Sequence, residues 1–274
     1  MTNGDVQQQL EIERAIASML DQYRGNDWMR NEQWPLFERH ARLMMTDVTS
    51  RFPATSRTRI LDVGCFNGYI SVLFRQLGYQ VTATDAYDSE ERRAIFQKAE
   101  IEFIPSNMNE LDAFNHLPGE WFDIILFTQV IEHILNHPAG LVSSLARLMR
   151  PGGLMVLTTP NPATVMAALR LLKGNSLLWG TRDFIGQPKI DGGTIISKAD
   201  IHYREYTSDE ICHMLAGAGL RIDKRRYLGL GSTPQQSALK RLMKSSPLAQ
   251  SLMSLRPFAS NHYFLARKPR EPER

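Results

Sequence analysis

Two cysteines in 274 residues, Cys65 and Cys212, are too few and too far apart for a disulfide scaffold or a cysteine-rich zinc site. No run of about eighteen apolar residues is present, and no amino-terminal apolar stretch leads to a cleavage signal. The expectation is a soluble protein of a reducing compartment, the cytoplasm, without a transmembrane segment. Internal repeats and long low-complexity segments are also missing. The dinucleotide fingerprint G-x-G-x-x-G needs three glycines near a pyrophosphate. The turn GCFNG at 64–68 has two, with bulky Phe66 between them. An H-E-x-x-H metal motif is absent as well: His133 and His137 are four apart and can share a helical face, but Glu132 stands beside them rather than between them. No metal is therefore expected to be required.

What is present suits a folded, mixed-class chain, with 43% hydrophobic and 22% charged residues. The net charge of +3 hides an asymmetry, because residues 221–274 carry twelve Lys plus Arg against three Asp plus Glu, leaving −6 elsewhere. A basic end of this kind meets nucleic acid, anionic lipid or a phosphorylated substrate, or is simply a solvated surface.

The stretch from Arg59 to Asp85 organises the chain. Ile60, Leu61 and Val63 form a short apolar strand, and Gly64 and Gly68 bracket a tight turn. A helix beginning near Asn67 or Gly68 buries Ile70, Val72, Leu73 and Leu77 and stops at Gly78. The strand Val81–Thr84 then brings Asp85 to its carboxyl end, where an acid can accept both hydroxyls of a ribose. A nucleoside ligand without a diphosphate fits this half-unit better than a dinucleotide, and a purely structural turn is the alternative.

LDVGCFNG at 61–68 resembles the first motif of the class I S-adenosylmethionine-dependent methyltransferases, commonly D/E-x-G-x-G-x-G or D-x-G-C-x-x-G. Three further segments in order are similar to the same family: the acid Asp85 after the second strand, FDIILFTQVIEH at 122–133, and LMRPGGLMVLTTPN at 148–161. The resemblance covers residues 55–228 and the last strand. It implies a Rossmann-like α/β fold with a seven-stranded, mostly parallel sheet, its final strand antiparallel between the fifth and sixth. It implies S-adenosyl-L-methionine as cofactor, held by Asp62, Gly64, Cys65, Gly68 and Asp85, by Asn107 at the adenine amino group with Met108 beside it, and by Thr128 and Gln129. Asn107 can instead cap the turn after its strand. Gln129 replaces the acid usual in E-V-x-E-H, which alters hydrogen bonding near the methionine part of the cofactor.

Around this core the remaining pattern predicts helices over Val6–Tyr23, Trp34–Val48, Ser89–Gln97, Leu141–Met149, Val165–Leu172 and Ser208–Ala218. Strands are expected at Ile101–Ile104, Trp121–Phe127, Leu154–Thr158, Leu220–Tyr227 and His262–Ala266. Residues 1–54 form an amino-terminal helical cap and 55–274 the methyltransferase domain, with a substrate-lid insertion at 160–200 and a second insertion at 229–260. Trp28, Trp34 and His40 are substrate-side or packing residues. The apolar stripe of 165–172 can touch a lipid-like or aromatic substrate or a membrane surface, or pack on the domain. In 229–260, Leu239, Leu242 and Met243 suggest a helix with Lys240, Arg241 and Lys244 on its wetter faces, suited to a homodimer surface, a second lid or a basic contact.

His133, just past the fourth strand, can take a proton from a substrate hydroxyl or make a helix-start hydrogen bond. Glu132, His137, His202, Arg204 and Tyr206 are candidate substrate-binding residues, with Glu205 able to pair with Arg204; a helix-entry network is the competing role. The acceptor expected is a small molecule, saccharide or lipid precursor, methylated by direct displacement, with oxygen modestly favoured. Nucleic-acid methylation, an NAD-dependent oxidoreductase and a noncatalytic cofactor-binding scaffold are the alternatives. The N-P-P-Y segment of amino-directed DNA enzymes is absent after the fourth strand, where TQVI stands.

Overall fold

The computed structural model describes residues 3–110, 112–177, 189–191, 194–196, 202–231, 251 and 254–270. Helices α1 (Asn3–Gln22) and α2 (Trp34–Thr49), joined through a π turn at Met29–Gln33, precede the sheet. The core then runs β1 (Arg59–Val63), α3 (Tyr69–Gln76), β2 (Gln80–Asp85), α4 (Glu90–Ala99), β3 (Glu102–Pro105) and β4 (Phe122–Thr128). It continues through α5 (Pro138–Leu148), β5 (Met149–Pro160) and α6 (Val165–Leu172). A small hairpin of β6 (Lys189–Asp191) and β7 (Thr194–Ile196) follows, then α7 (Ser208–Gly217), β8 (Arg221–Leu228) and β9 (Asn261–Arg267).

The seven-stranded sheet has the order β3-β2-β1-β4-β5-β9-β8. Every pairing is parallel except those of β9, which runs antiparallel to both β5 and β8. The expected antiparallel strand between the fifth and sixth is thus found. The reversal of strand order lies between β1 and β4, so their carboxyl ends flank the crevice where open α/β sheets take ligands.

The continuous apolar runs of β4 and β5 follow from burial on both faces. Alternate residues such as Ile60, Ile124, Leu126 and Val156 join one cluster with α1, α2 and α3, whereas Leu61, Ile125, Phe127 and Leu157 join a second with α5 and α7. The amino-terminal helices share the first cluster through Ile12, Met19, Met44 and Val48. His40 is buried within α2, and Trp34 is buried edge-on to Tyr69, so both pack; Trp28 is half exposed.

Most element ends shift by one to three residues from expectation, and the start of β5 shifts further. β5 begins at Met149, five residues before Leu154, because Phe122 pairs with Met149 before a register shift brings Ile124 opposite Leu154. α7 starts at Ser208 as expected and is capped by Thr207, in a capping box with Glu210. The glycine and proline loop at 186–193, apart from β6, together with Trp179 and the helix expected around Leu239–Met243, lies outside the described residues.

Candidate functional site

The turn after β1 is held by its own backbone. Gly64 and Cys65 both donate N–H to the Thr84 carbonyl of β2, at 2.8 and 3.0 Å, and Gly68 donates to Cys65 at 2.8 Å. Gly64 and Gly68 are left-handed, with φ of 70° and 82°. A Cβ at Gly64 would stand 2.5 Å from Val130 Cγ2, and one at Gly68 2.2 Å from the Phe96 ring. The missing side chains thus make room for protein neighbours as well as for the turn. The Cys65 side chain is buried, and burial pushes its thiol pKa upward, so its expected place at the cofactor falls to its backbone.

Asp85 ends β2 with both oxygens committed to the chain. Oδ2 accepts from Phe66 N–H and Oδ1 from Tyr87 N–H, each at 2.8 Å. Each oxygen retains a further lone pair for a hydroxyl. Asp62, beneath the turn, accepts from Ser71 Oγ at 2.6 Å through Oδ2, while its buried Oδ1 has no partner among the described residues. Burial raises the Asp62 pKa to about 7 against the lowering effect of the Ser71 bond. An orphaned buried carboxylate oxygen and a partly exposed acid at the strand end fit a ligand with an ammonium group and vicinal hydroxyls, as S-adenosylmethionine has.

The amino-terminal helices reach this turn directly. Tyr23 OH donates to the Asn67 carbonyl at 2.6 Å, Asn67 Nδ2 donates to Gln33 at 2.5 Å, and Trp28 meets exposed Phe66 edge-on at 5.7 Å. Asn107 is exposed and caps its own turn, accepting from Asn109 N–H at 3.2 Å and donating to Glu110 at 3.1 Å. Its capping role is therefore present, and an adenine contact would use its remaining acceptor capacity. Met108 and His137 line a shared cavity of ≈ 130 Å³ with Phe114 and Leu141.

At the end of β4, Thr128 pairs with Thr158, and Gln129 is left-handed with φ 55°, donating from Nε2 to Thr158 Oγ1 at 3.1 Å. The chain then makes a single 3-10 turn, Ile131–His133. His137 sits apart from it as the exposed cap of α5, so His133 and His137 do not share a helix.

Glu132 is fully buried beneath this turn. Its Oε2 accepts from Thr159 Oγ1 at 3.0 Å, Oε1 has no partner among the described residues, and its carbonyl accepts Tyr203 N–H at 2.8 Å. Burial raises its pKa to about 7, opposed by a hydrogen bond to its own backbone and by nearby His202. That backbone link draws the post-insertion segment over the turn, placing His202 edge-on to His133 at 5.0 Å between ring centres. Glu132, His133 and His202 each offer a ligand atom within 4.8 Å of the others.

Glu205 pairs with His202 Nδ1 at 2.9 Å, and Arg204 pairs with Glu210, which corrects the expected Arg204–Glu205 pair. Arg204 lies over the ring of Tyr206, 5.2 Å from its centre, and Tyr206 is buried. The cluster of Glu132, His133 and His202 therefore forms from two distant segments, while Arg204 and Tyr206 serve the entry to α7. Thr159 was not singled out from sequence, and Glu205 was expected at Arg204 rather than at His202. The three-residue spacing of His202 and Glu205 was the available signal for their pairing.

A family profile described as a methyltransferase domain matches residues 37–225. The ubiquinone biosynthesis O-methyltransferase of Caulobacter sp. strain K31 is 34% identical over 134 residues, covering 46% of this chain and 52% of the relative. The enzyme of that name from Parvibaculum lavamentivorans is 31% identical over 160 residues, covering 54% and 60%. The chain thus spans only about half to three-fifths of the length of these curated relatives. Among solved structures, a SAM dependent methyltransferase from Archaeoglobus fulgidus superposes with a TM-score of 0.53 at 15% identity, covering 84% of this chain and 94% of the other. The Burkholderia thailandensis 1,6-didemethyltoxoflavin-N1-methyltransferase, with its acceptor and S-adenosylhomocysteine bound, gives 0.51 at 18% identity, covering 98% and 91%. These two likenesses establish the fold.

Proposed function

The chain belongs to the methyltransferase-domain family, class I in fold and S-adenosylmethionine-dependent, and from that premise we propose that it methylates a hydroxyl of a small acceptor of the lipid-precursor or saccharide kind. The observation that carries this proposal is the cluster of Glu132, His133 and His202 at the carboxyl edge of β4. The cofactor supplies a methyl group on cationic sulfur, and the chain has to position the acceptor and relieve its oxygen of a proton. His133 is the residue assigned to that proton, with Glu132 and His202 beside it. An oxygen acceptor needs this help, whereas a deprotonated amine does not. The names of these relatives, O-methyltransferases of ubiquinone biosynthesis, point the same way.

The apolar side chains of α6 support an apolar acceptor or tail: Met166 and Leu172 are 68% and 84% exposed, and none of the helix's residues is buried. None of the described helices is long and apolar enough to cross a membrane. The test is a panel of paired acceptors, each hydroxyl compound matched with its amine analogue, read as S-adenosylhomocysteine formed. Turnover of the hydroxyl members is expected. Methylation of the amines with the hydroxyl compounds inert would overturn the proposal.

A second reading is favoured by the donor set. Two imidazoles and a carboxylate can hold a divalent cation with open positions for an acceptor's oxygens. Glu205, bonded to His202 Nδ1, is the outer carboxylate that such a ligand usually has. Turnover lost on chelation and restored by Mg²⁺, Mn²⁺ or Zn²⁺ selects this arrangement. Unchanged turnover of protein shown to be free of metal removes it.

A further inference from the structure

Arg92 is placed where both local and bulk electrostatics disfavour it. It lies in the first turn of α4, three residues after the cap Ser89, where a helix's own dipole repels a cation. Its side chain is 3% exposed, and its Nε is buried with no partner among the described residues. A cation desolvated in this way requires compensation. Asp88 is 3.8 Å away, and the guanidinium lies over the Phe103 ring, 4.3 Å from its centre.

The remaining compensation comes from two carbonyls. Arg92 Nη1 donates to the Phe66 carbonyl at 2.6 Å, and Nη2 donates to the Tyr87 carbonyl. These are the two residues whose N–H groups donate to Asp85. The loop after β1 and the loop after β2 are thus gripped at one residue each, by an acid on their amides and a base on their carbonyls. Phe66 needs this grip, since at φ 49° it occupies the left-handed region, which a residue with a side chain disfavours.

We infer that Arg92 is a positioning residue for the nucleoside half of the cofactor, holding Phe66 and Tyr87 so that Asp85 faces the ribose in a fixed register. Arg92 does not itself touch the ligand. Its planar fork spans two carbonyls at once, which the single ammonium of lysine does not reproduce. The inference rests on the cofactor assignment made above for the turn and Asp85.

The test titrates S-adenosylhomocysteine and adenosine, by calorimetry, into wild type, Arg92→Lys, Arg92→Met and a remote core variant, Val142→Ala. Both Arg92 variants are expected to weaken both ligands by the same factor, roughly tenfold for Lys and more for Met. In turnover the loss falls on the KM for S-adenosylmethionine rather than on kcat. Val142→Ala, in the opposite core cluster, controls for lost stability and keeps the wild-type Kd.

Wild-type affinity in Arg92→Lys and Arg92→Met, or an equal loss in Val142→Ala, overturns the inference. Should the Arg92 variants not fold, hydrogen exchange on wild type decides. The Phe66 and Tyr87 amides are expected to slow together on binding, and unchanged exchange at both overturns the clasp. A folded wild type that binds neither ligand refutes the cofactor assignment itself, a result separate from failure of the clasp.

Discussion

The two ends of the crevice each bury a carboxylate oxygen without a partner among the described residues, on Asp62 and on Glu132, and differ in what surrounds it. At the nucleoside end the chain bonds to itself: Asp85 holds two amides, Arg92 two carbonyls, and Tyr23 and Gln33 fasten Asn67 from the amino-terminal helices. At the acceptor end a fully buried Glu132 keeps one oxygen without a partner among the described residues, beside two imidazoles. A pre-set frame suits a ligand that is always the same. Unspent acceptor capacity next to titratable rings suits a step in which a proton moves. Binding and chemistry should accordingly separate under mutation.

The largest effect expected is on chemistry alone. His133→Ala should lower kcat by about 10²–10⁴-fold, the usual contribution of a general base, and leave the S-adenosylhomocysteine Kd within about twofold. Full kcat in this variant across pH would remove the base role from His133. Asp85→Ala should do the reverse, weakening S-adenosylhomocysteine by on the order of 100-fold as two hydroxyls and two turn amides lose a charged acceptor. Equal losses of Kd and kcat in both variants would erase the distinction between the ends.

Much of the nucleoside end was legible in the sequence because its signals are local. Strand, glycine turn, helix and acid follow one another within Arg59–Asp85, and each is marked by its own residues. The acceptor end joins segments about seventy positions apart, and only its β4 half carries a local pattern. His202 reaches His133 because the Glu132 carbonyl takes the Tyr203 amide, a link no spacing encodes. The Arg204–Glu205 pair failed for a related reason. Adjacent side chains diverge, and the true partners lie three and six positions apart. Arg92 is marked in the sequence only by its place near the start of α4, which is anomalous for a cation. The start of β5 was misplaced because Pro151 and Gly152 hid the short pairing of Met149 before the register shift.

A smaller effect separates rigid turns from permissive ones. Gly68→Ala combines a left-handed φ of 82° with a Cβ 2.2 Å from the Phe96 ring, so it should cost about 2–4 kcal/mol of unfolding free energy. Gly78→Ala, with φ 99° and no heavy atom within 4 Å of the added Cβ, carries only the backbone cost, about 1–2 kcal/mol. Urea midpoints of the two variants measure the difference. If they coincide, Phe96 yields and the turn is less rigid than its bonding suggests.

The last effect concerns protonation and builds up gradually with pH. His40 is buried with no partner for either ring nitrogen among the described residues, and burial, helped by Arg39, lowers its pKa from 6.5 to about 4. Between these values the unfolded chain takes up a proton that the folded chain refuses. The stability His40 contributes is therefore complete above pH 6.5 and is lost as pH falls toward 4, at up to about 1.4 kcal/mol per pH unit. Asp62, raised to about 7, has the opposite sign: it favours the folded state below the ordinary carboxylate range, and this contribution is lost as pH rises through 7. In wild type the two slopes oppose each other between about pH 4 and 6.5, which flattens the profile. Replacing His40 by Leu uncovers the acid's slope, so the variant's stability relative to wild type should rise as pH falls below 6.5. Unfolding free energies of both proteins from pH 4.5 to 7.5 provide the check. A difference independent of pH would mean that His40 takes up its proton equally in the folded and the unfolded chain and that burial does not govern it.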